Sequence, residues 1–257
     1  MTPTVTTHTD WPIAFFDDDY LKIYAPLLSE ERTQREAEFI AGALGLAKGA
    51  RVCDLACGTG RHAVEMARRG YDVTAVDFNA RYLELGAQAA QAAGVRVAWT
   101  QGDMREFGFE RAFDAVYSYF TSFGYYSDDE NERVLANVAG ALVPGGRFLI
   151  DVLNRDYVLL HPSQRSWIQR EDGALLMEEN TLALASSRVT SRQILIQPGA
   201  GSRVTKEYDL RTYTCAELSA LMRRHGLEPQ QTLGGPDGSE YSVESRRLVL
   251  VAARSGA

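Results

Sequence analysis

The sequence predicts an α/β protein: a mostly parallel β-sheet with helices on both faces, plus a small antiparallel β insertion after the fifth strand. Three observations predict it. Residues 51–152 alternate short apolar runs with helical patterns, the rhythm of repeated βαβ units. The strand candidates read as continuous apolar runs rather than strict alternation, which suits strands covered on both sides. After residue 152 the rhythm breaks into β-like segments without intervening helices.

Each element follows from local chemistry. Residues 1–10 are Thr-rich and polar and predict a loose tail. The next stretch carries Trp11, Phe15, Phe16, Tyr20 and Tyr24, too apolar for a tail, so it should pack on something. Thr33 and Glu36 have capping-box spacing before Phe39, Ile40, Ala43 and Leu44, predicting a helix that ends near Gly45. Strands are predicted at 51–56, 72–77, 95–99, 113–118 and 147–152, and helices at 61–69 and 80–92. Ser127 and Glu130 open a further helix, which Pro144-Gly145-Gly146 should end. Segments 175–177, 181–185, 193–197 and 203–210 predict antiparallel hairpins over one end of the sheet. Thr214 and Glu217 open a last helix, and 227–233 and 248–253 are two final strands. Residues 11–257 are read as one domain, with 11–45 an N-terminal segment and 155–212 the β insertion.

Composition fits one folding unit. With 257 residues, 45% of them apolar, the chain can bury a full core without a disulfide or a metal. Cys53, Cys57 and Cys215 are odd in number and lack CxxC or zinc spacing, so a reducing cytoplasm is expected and no metal site. The start, MTPTVTTHTD, lacks a basic region followed by an apolar run, so no secretory signal is expected. No apolar stretch reaches the ~18 residues of a membrane span. The net charge is −7 and basic residues sit beside acidic ones, so nucleic acid is not an expected partner. Nothing in the sequence sets the oligomeric state.

The chemistry concentrates at Val52-Cys-Asp-Leu-Ala-Cys-Gly-Thr-Gly60, where the first strand meets the first βαβ helix. In parallel sheets, ligands bind at the carboxyl ends of the strands. Gly58 and Gly60 permit unusual backbone angles and close ligand approach, and the helix N-terminus behind them offers free N–H groups. Gly58-x-Gly60-x-x-Ala63 also satisfies the dinucleotide fingerprint, with Asp77 following. This leaves an NAD-dependent oxidoreductase as one reading, and a tight turn without a ligand as another. Asp54 weighs against a pyrophosphate, because a carboxylate repels one; it suits a ligand that carries an ammonium group. Asp77 is placed to accept both hydroxyls of a ribose. Asp103 could accept from an adenine amine, and Met104 could offer its N–H or pack on the ring.

The segments DLACGTGRHAVEMARRGYDVTAVD, GDM, FDAVYSYFTSFGYY and LVPGGRFLIDVLN resemble the seven-strand, Rossmann-like class I S-adenosylmethionine-dependent methyltransferases of the small-molecule type. The resemblance covers about residues 30–155. It implies a seven-stranded sheet whose last strand is antiparallel and inserted between the fifth and sixth. It implies S-adenosylmethionine as cofactor: Gly58 and Gly60, flanked by Cys57, Arg61 and His62, hold the methionine part. Asp77 takes the ribose, Asp103 and Met104 the adenine, Phe78 stacks on adenine, and backbone near Tyr119 lies by the methionine amine. The aromatic N-terminal stretch resembles a lid in which Tyr20 or Tyr24 closes over the cofactor.

Signatures of nucleic-acid methylation are missing. Ser118-Tyr-Phe-Thr-Ser-Phe-Gly124 has neither proline of the amino-methylating DNA enzymes, and no Pro-Cys dipeptide occurs. The Asp128-Asp129-Glu130 cluster reads as a helix N-terminus rather than a metal site. A small-molecule acceptor remains, roofed by the insertion, with Phe123, Tyr125, Tyr126, Trp167 and Arg211 as candidate pocket residues. Methyl transfer is an in-line displacement that rests on alignment, so a base is needed only for a protonated acceptor. His161 or Tyr119 is the candidate for that deprotonation. A non-catalytic cofactor-binding relative is the other alternative, since fold does not fix function.

Overall fold

The computed structural model describes residues 11–162, 165–199 and 203–256, so the expected tail at 1–10 lies outside the described residues. Short helices α1 (Trp11–Phe15) and α2 (Asp18–Tyr24) and a 3-10 turn (Ala25–Leu27) precede α3 (Glu30–Leu44). Then come β1 (Arg51–Leu55), α4 (Arg61–Arg68), β2 (Asp72–Asp77), α5 (Ala80–Ala93), β3 (Ala98–Gln101) and β4 (Phe113–Ser118). Helix α6 (Asp128–Ala141) leads into β5 (Leu142–Leu153) and α7 (Arg155–Leu160). Strands β6 (Arg165–Gln169), β7 (Leu175–Ala183), β8 (Arg188–Ile196) and β9 (Arg203–Arg211) form the insertion. Helix α8 (Cys215–Arg224), β10 (Leu227–Leu233) and β11 (Arg247–Arg254) close the chain.

The main sheet has seven strands in the order β10-β11-β5-β4-β1-β2-β3. Strands β1–β5 pair in parallel, and β11 runs antiparallel to both of its neighbours, β5 and β10. This is the predicted architecture, with the antiparallel strand seated between the fifth and the next. The apolar runs explain it. Along β1, Val52 packs into a core with Ala37, Ile40 and Met66, whereas Cys53 and Leu55 face a second core with Leu135, Val138 and Met222. A strand buried on both faces has no polar side to show. The insertion is a separate antiparallel sheet in the order β6-β7-β8-β9. Its inner face packs Leu176 and Leu195 onto Ile23 of α2. Among the described residues no helix is long and apolar enough to cross a membrane.

Four local expectations need correction. Thr33 and Glu36 do not form a capping box; Ser29 caps α3 by accepting from the Arg32 N–H. Thr33 lies one turn inside the helix and donates its hydroxyl to the Ser29 carbonyl. The third strand starts at Ala98 rather than 95, because Gly94 turns left-handed and the Val95 N–H folds back onto the Ala90 carbonyl. Helix α6 ends at Ala141 before Pro144, since Leu142 is already extended and pairs with Phe113. The segments at 175–177 and 181–185 are largely one strand, Leu175–Ala183, paired along its length with β8. The capping boxes Ser127/Glu130 and Thr214/Glu217 form as expected.

The two glycines of the β1–α4 turn differ in purpose. Both have left-handed φ, +57° at Gly58 and +71° at Gly60. A Cβ on Gly58 would meet nothing within 4 Å, whereas one on Gly60 would lie 2.3 Å from Trp99 Cη2. Trp99 of β3 therefore demands the second glycine. We expect Gly60→Ala to cost about 2–4 kcal/mol, from the clash and the unfavourable φ together. Gly58→Ala should cost about 1–2 kcal/mol, from φ alone. Thermal denaturation of both variants checks this; equal losses would remove the assigned packing role of Trp99.

Candidate active site

The carboxyl ends of β1–β4 meet at a cavity of about 240 Å³. The β1–α4 turn supplies Asp54, Ala56, Cys57, Gly58, Thr59, Arg61 and His62 to its wall. The end of β2 gives Asp77 and Phe78, the turn after β3 gives Gly102 and Met104, and the loop after β4 gives Tyr119–Ser122, Tyr125 and Tyr126. Phe16, Tyr20, Leu21, Tyr24 and Leu28 close it from the N-terminal side.

Asp54 is 3% exposed, and its Oδ2 has no hydrogen-bond partner among the described residues. Burial pushes this carboxyl up to about 7, against the pull of the Tyr117 hydroxyl and the Arg61 guanidinium. A buried oxygen without a donor is costly unless something cationic fills the space beside it. Asp77 is engaged: Oδ2 accepts from the Gly58 N–H at 2.8 Å and Oδ1 from the Asn79 N–H at 2.9 Å. Burial raises its pKa, opposed by these two N–H groups. Each oxygen keeps a free lone pair for a hydroxyl.

Behind the turn lies a residue that sequence patterning mistook for a cap. Glu36, 3% exposed, accepts from Arg61 Nη1 at 2.5 Å, Arg32 Nε at 2.9 Å and His62 Nε2 at 3.0 Å. Burial opposes ionisation, yet His62, Arg61 and Arg32 hold the Glu36 carboxyl down at about 2. Burial also presses His62 to about 4, despite Glu36, so at neutral pH the ring is uncharged and its Nε2–H donates. At that pH Arg61 and Arg32 are the charges that balance Glu36. The available signal was phase: Glu36 shares the buried stripe of Ala37, Ile40 and Leu44.

The loop after β4 is strained. Phe120 and Thr121 have φ of +69° and +60°, and Ala56 across the cavity has +60°. For a β-branched residue such as Thr121 this is an outlier. Asp151 at the end of β5 holds the pair: its Oδ2 accepts from the Phe120 N–H at 2.9 Å and its carbonyl from the Thr121 N–H at 3.1 Å. Arg247 grips the same carboxylate through Nε and Nη2, at 2.7 and 2.6 Å. Sequence reading did not single out Asp151 or Arg247, because 96 residues separate them and only the β5–β11 pairing joins them.

The N-terminal aromatics are tied down over the cavity. Tyr20 and Tyr24 stack at 4.4 Å, and Phe16 sits edge-on to Tyr125 and Phe78. The Tyr24 oxygen accepts from Gln193 Nε2 of β8 at 2.6 Å. Lys206 of β9 pairs with Asp17 at 2.5 Å, and the Tyr82 hydroxyl of α5 donates to the Asp17 carbonyl at 2.8 Å.

The structure thus gathers Tyr20, Tyr24, Asp54, Cys57, Gly58, Arg61, His62, Asp77, Phe78, Met104, Tyr119, Tyr125 and Tyr126 around one cavity. It places the other candidates elsewhere. Gly60 packs on Trp99. Asp103 gives both carboxylate oxygens to Arg105, at 2.6–3.0 Å, while its neighbours Gly102 and Met104 reach the cavity. Phe123 is buried in the core beside Tyr213. Arg211 pairs with Asp128 and Glu217 on another face. Trp167 is 70% exposed on the outer face of the insertion. His161 stacks on Tyr157 at 4.1 Å and pairs with Glu244 at 3.3 Å, away from the cavity. Tyr119 does line the cavity, but burial and the Asp151 and Glu36 charges push its hydroxyl far above the physiological range. It stays protonated and cannot serve as a base.

Residues 52–146 match the family described as "Methyltransferase domain". The dTDP-3-amino-3,4,6-trideoxy-alpha-D-glucopyranose N,N-dimethyltransferase of Streptomyces venezuelae is 27% identical over 189 residues, covering 72% of this chain and 78% of that protein. The CcbJ methyltransferase from Streptomyces caelestis superposes with a TM-score of 0.82 at 23% identity, over 95% of this chain and 98% of that one. SAM-bound CalS10 from Micromonospora echinaspora, an amino pentose methyltransferase involved in calicheamicin biosynthesis, gives 0.67 at 22% identity, over 94% and 98%.

Proposed function

We propose that this chain is a class I S-adenosylmethionine-dependent methyltransferase that acts on a small molecule, and that its acceptor atom is an amine nitrogen. The observation that carries the cofactor's place is Asp54 Oδ2, buried, unpartnered and on the cavity wall. It fits the α-ammonium group of S-adenosylmethionine; a pyrophosphate would be repelled there. Asp77, with one free lone pair on each oxygen, fits a ribose diol. Gly58, with open space where a Cβ would stand, lets the ligand approach the main chain. Met104 and Phe78 fit the faces of an adenine.

When bound, S-adenosylmethionine supplies an electrophilic methyl group on a sulfonium. The chain's residues supply alignment and dryness. Phe16, Tyr20, Tyr24, Phe120 and Tyr125 wall the remaining space with rings, which attract cations and exclude water. Orientation of this kind accounts for up to ~7–11 kcal/mol of a barrier. Neither Tyr119 nor His161 offers a base, and an amine that arrives neutral needs none. Support for nitrogen comes from this ring-walled cavity and from the amino-sugar substrate named for the similar Streptomyces venezuelae protein.

The test is transfer of a labelled methyl group to a panel of small amines, including aminosugars, beside matched alcohols. Methylation of amines with a rate rising as the amine deprotonates is the expected result. Transfer to the alcohols alone would overturn the nitrogen assignment.

A further inference from the structure

The outer face of the insertion carries an ordered pattern that neither the cavity nor the core uses. Because the four strands are in register, side chains that point outward fall in rows across them. One row reads Arg165, Glu179, Arg192, Glu207. The next reads Trp167, Met177, Ile194, Thr205, and the third Gln169, Leu175, Ile196, Arg203. Trp167 is 70% exposed, Met177 40% and Ile196 39%. The opposite, inner face holds Leu176, Leu195 and Lys206 against α1 and α2, so the N-terminal helices do not cover these rows.

The charged row alternates plus, minus, plus, minus over an even number of strands. Within the chain it forms two ion pairs, Arg165–Glu179 at 2.8 Å and Arg192–Glu207 at 3.2 Å. Such a row is complementary to its own reverse. A twofold axis along the strand direction, between β7 and β8, would set each row against itself reversed. Arg165 then faces the partner's Glu207, and Glu179 faces the partner's Arg192. The same operation sets Met177 against the partner's Ile194, and Leu175 against the partner's Ile196. Two sheets packed face to face with aligned strands are an ordinary arrangement, and a twofold requires this kind of self-complementary patch.

From this pattern we infer that the outer face of β6–β9 is a homodimer interface, and its occupant is the same face of a second copy of this chain. The area is of the right order. Three strands of nine residues and one of five, at ~4.8 Å between strands and ~3.3 Å per residue, give a face of roughly 500 Å². With side-chain relief this approaches the ~800 Å² per partner of a standard interface. Met177, Ile194, Leu175 and Ile196 gain apolar partners, Trp167 meets the partner's Thr205 and Arg203 the partner's Gln169, and the four charges of the first row meet only opposite charges.

The experiment is sedimentation equilibrium or light scattering of the whole chain at 1–100 µM. Twice the 28.4 kDa chain mass is expected. Met177→Asp should leave a monomer that still binds S-adenosylhomocysteine, since Met177 lies outside the cavity. Should that variant misfold, exposed Trp167→Ser tests the same face. A second protein reverses the whole charged row (R165E, E179R, R192E and E207R). It should self-associate like the wild type, because an inverted row is still its own complement. It should form no mixed dimers with the wild type, where like charges would meet. A wild-type monomer at 100 µM, a dimer untouched by Met177→Asp and Trp167→Ser, or statistical mixing with the reversed protein would each overturn the proposal.

Discussion

Asp77→Ala lowers the affinity for S-adenosylhomocysteine by about 100-fold or more, measured by titration calorimetry with NAD as a control. The carboxylate is nearly buried, at 6% exposed, and its two free lone pairs are what a ribose diol needs. Each hydrogen bond to a charged acceptor contributes about 1.5–3 kcal/mol. Two of them give roughly 3–6 kcal/mol, of which part returns through water entering the gap. The loss has a second source. Asp77 also receives the Gly58 and Asn79 N–H groups, so removing it frees the turn that shapes the cavity. Asp77→Asn separates the two, because an amide keeps one acceptor oxygen and the size but not the charge. An Asp77→Ala protein with wild-type affinity, or one whose wild type binds NAD instead, would remove the diol role.

Asp54→Asn moves binding and stability in opposite directions. The folded chain holds the Asp54 carboxyl at about 7, raised from 3.8 mainly by burial. The sign follows from which form the fold prefers. A raised pKa means that the neutral form is favoured, so the contribution to stability is full below about pH 4. It is lost as pH rises through 7, and above 7 the charged, unpaired carboxylate is a standing cost. A neutral amide removes that cost but leaves its own polar atoms incompletely paired. The expected gain is on the order of 1–3 kcal/mol at pH 8, disappearing near pH 4. For a chain of this length each kcal/mol is about 2–4 °C in Tm. Affinity should go the other way, since the ammonium group needs the ionised carboxylate. In the wild type, binding of S-adenosylhomocysteine should weaken about 10–30-fold between pH 7.5 and 5.5 as Asp54 protonates. In Asp54→Asn it should be weak and flat over the same range. A wild-type affinity that ignores pH would show that Asp54 faces no cation in the complex.

Asp54 and Asp77 stand out in the sequence alone. Asp54 interrupts the first apolar run four residues before Gly58 and Asp77 ends the second, so both stand at the carboxyl edge of a parallel sheet, where ligands bind. Glu36, Asp151 and Arg247 did not stand out. Each is ordinary in its own segment: a glutamate in an Arg- and Glu-rich helix, an aspartate in a strand, an arginine opening another. Apart from the Arg32–Glu36 pair within α3, their roles come from partners 25 to 96 residues away. The aromatic candidates divided for the same reason. Tyr125 and Phe123 lie two residues apart, yet one lines the cavity and the other fills the core, because the loop between them turns at Gly124.

Period and punctuation, then, determined the βαβ order, the buried parallel strands, the β insertion and the glycine turn at the sheet's carboxyl edge. These are local properties, written in hydrophobic spacing and in the few residues that tolerate caps and turns. Which carboxylate stays unpaired, which histidine turns neutral and which arginine leaves the site for a surface ion pair were decided only by tertiary structure. Burial and long-range pairing set those outcomes, and both depend on what the fold brings alongside each residue.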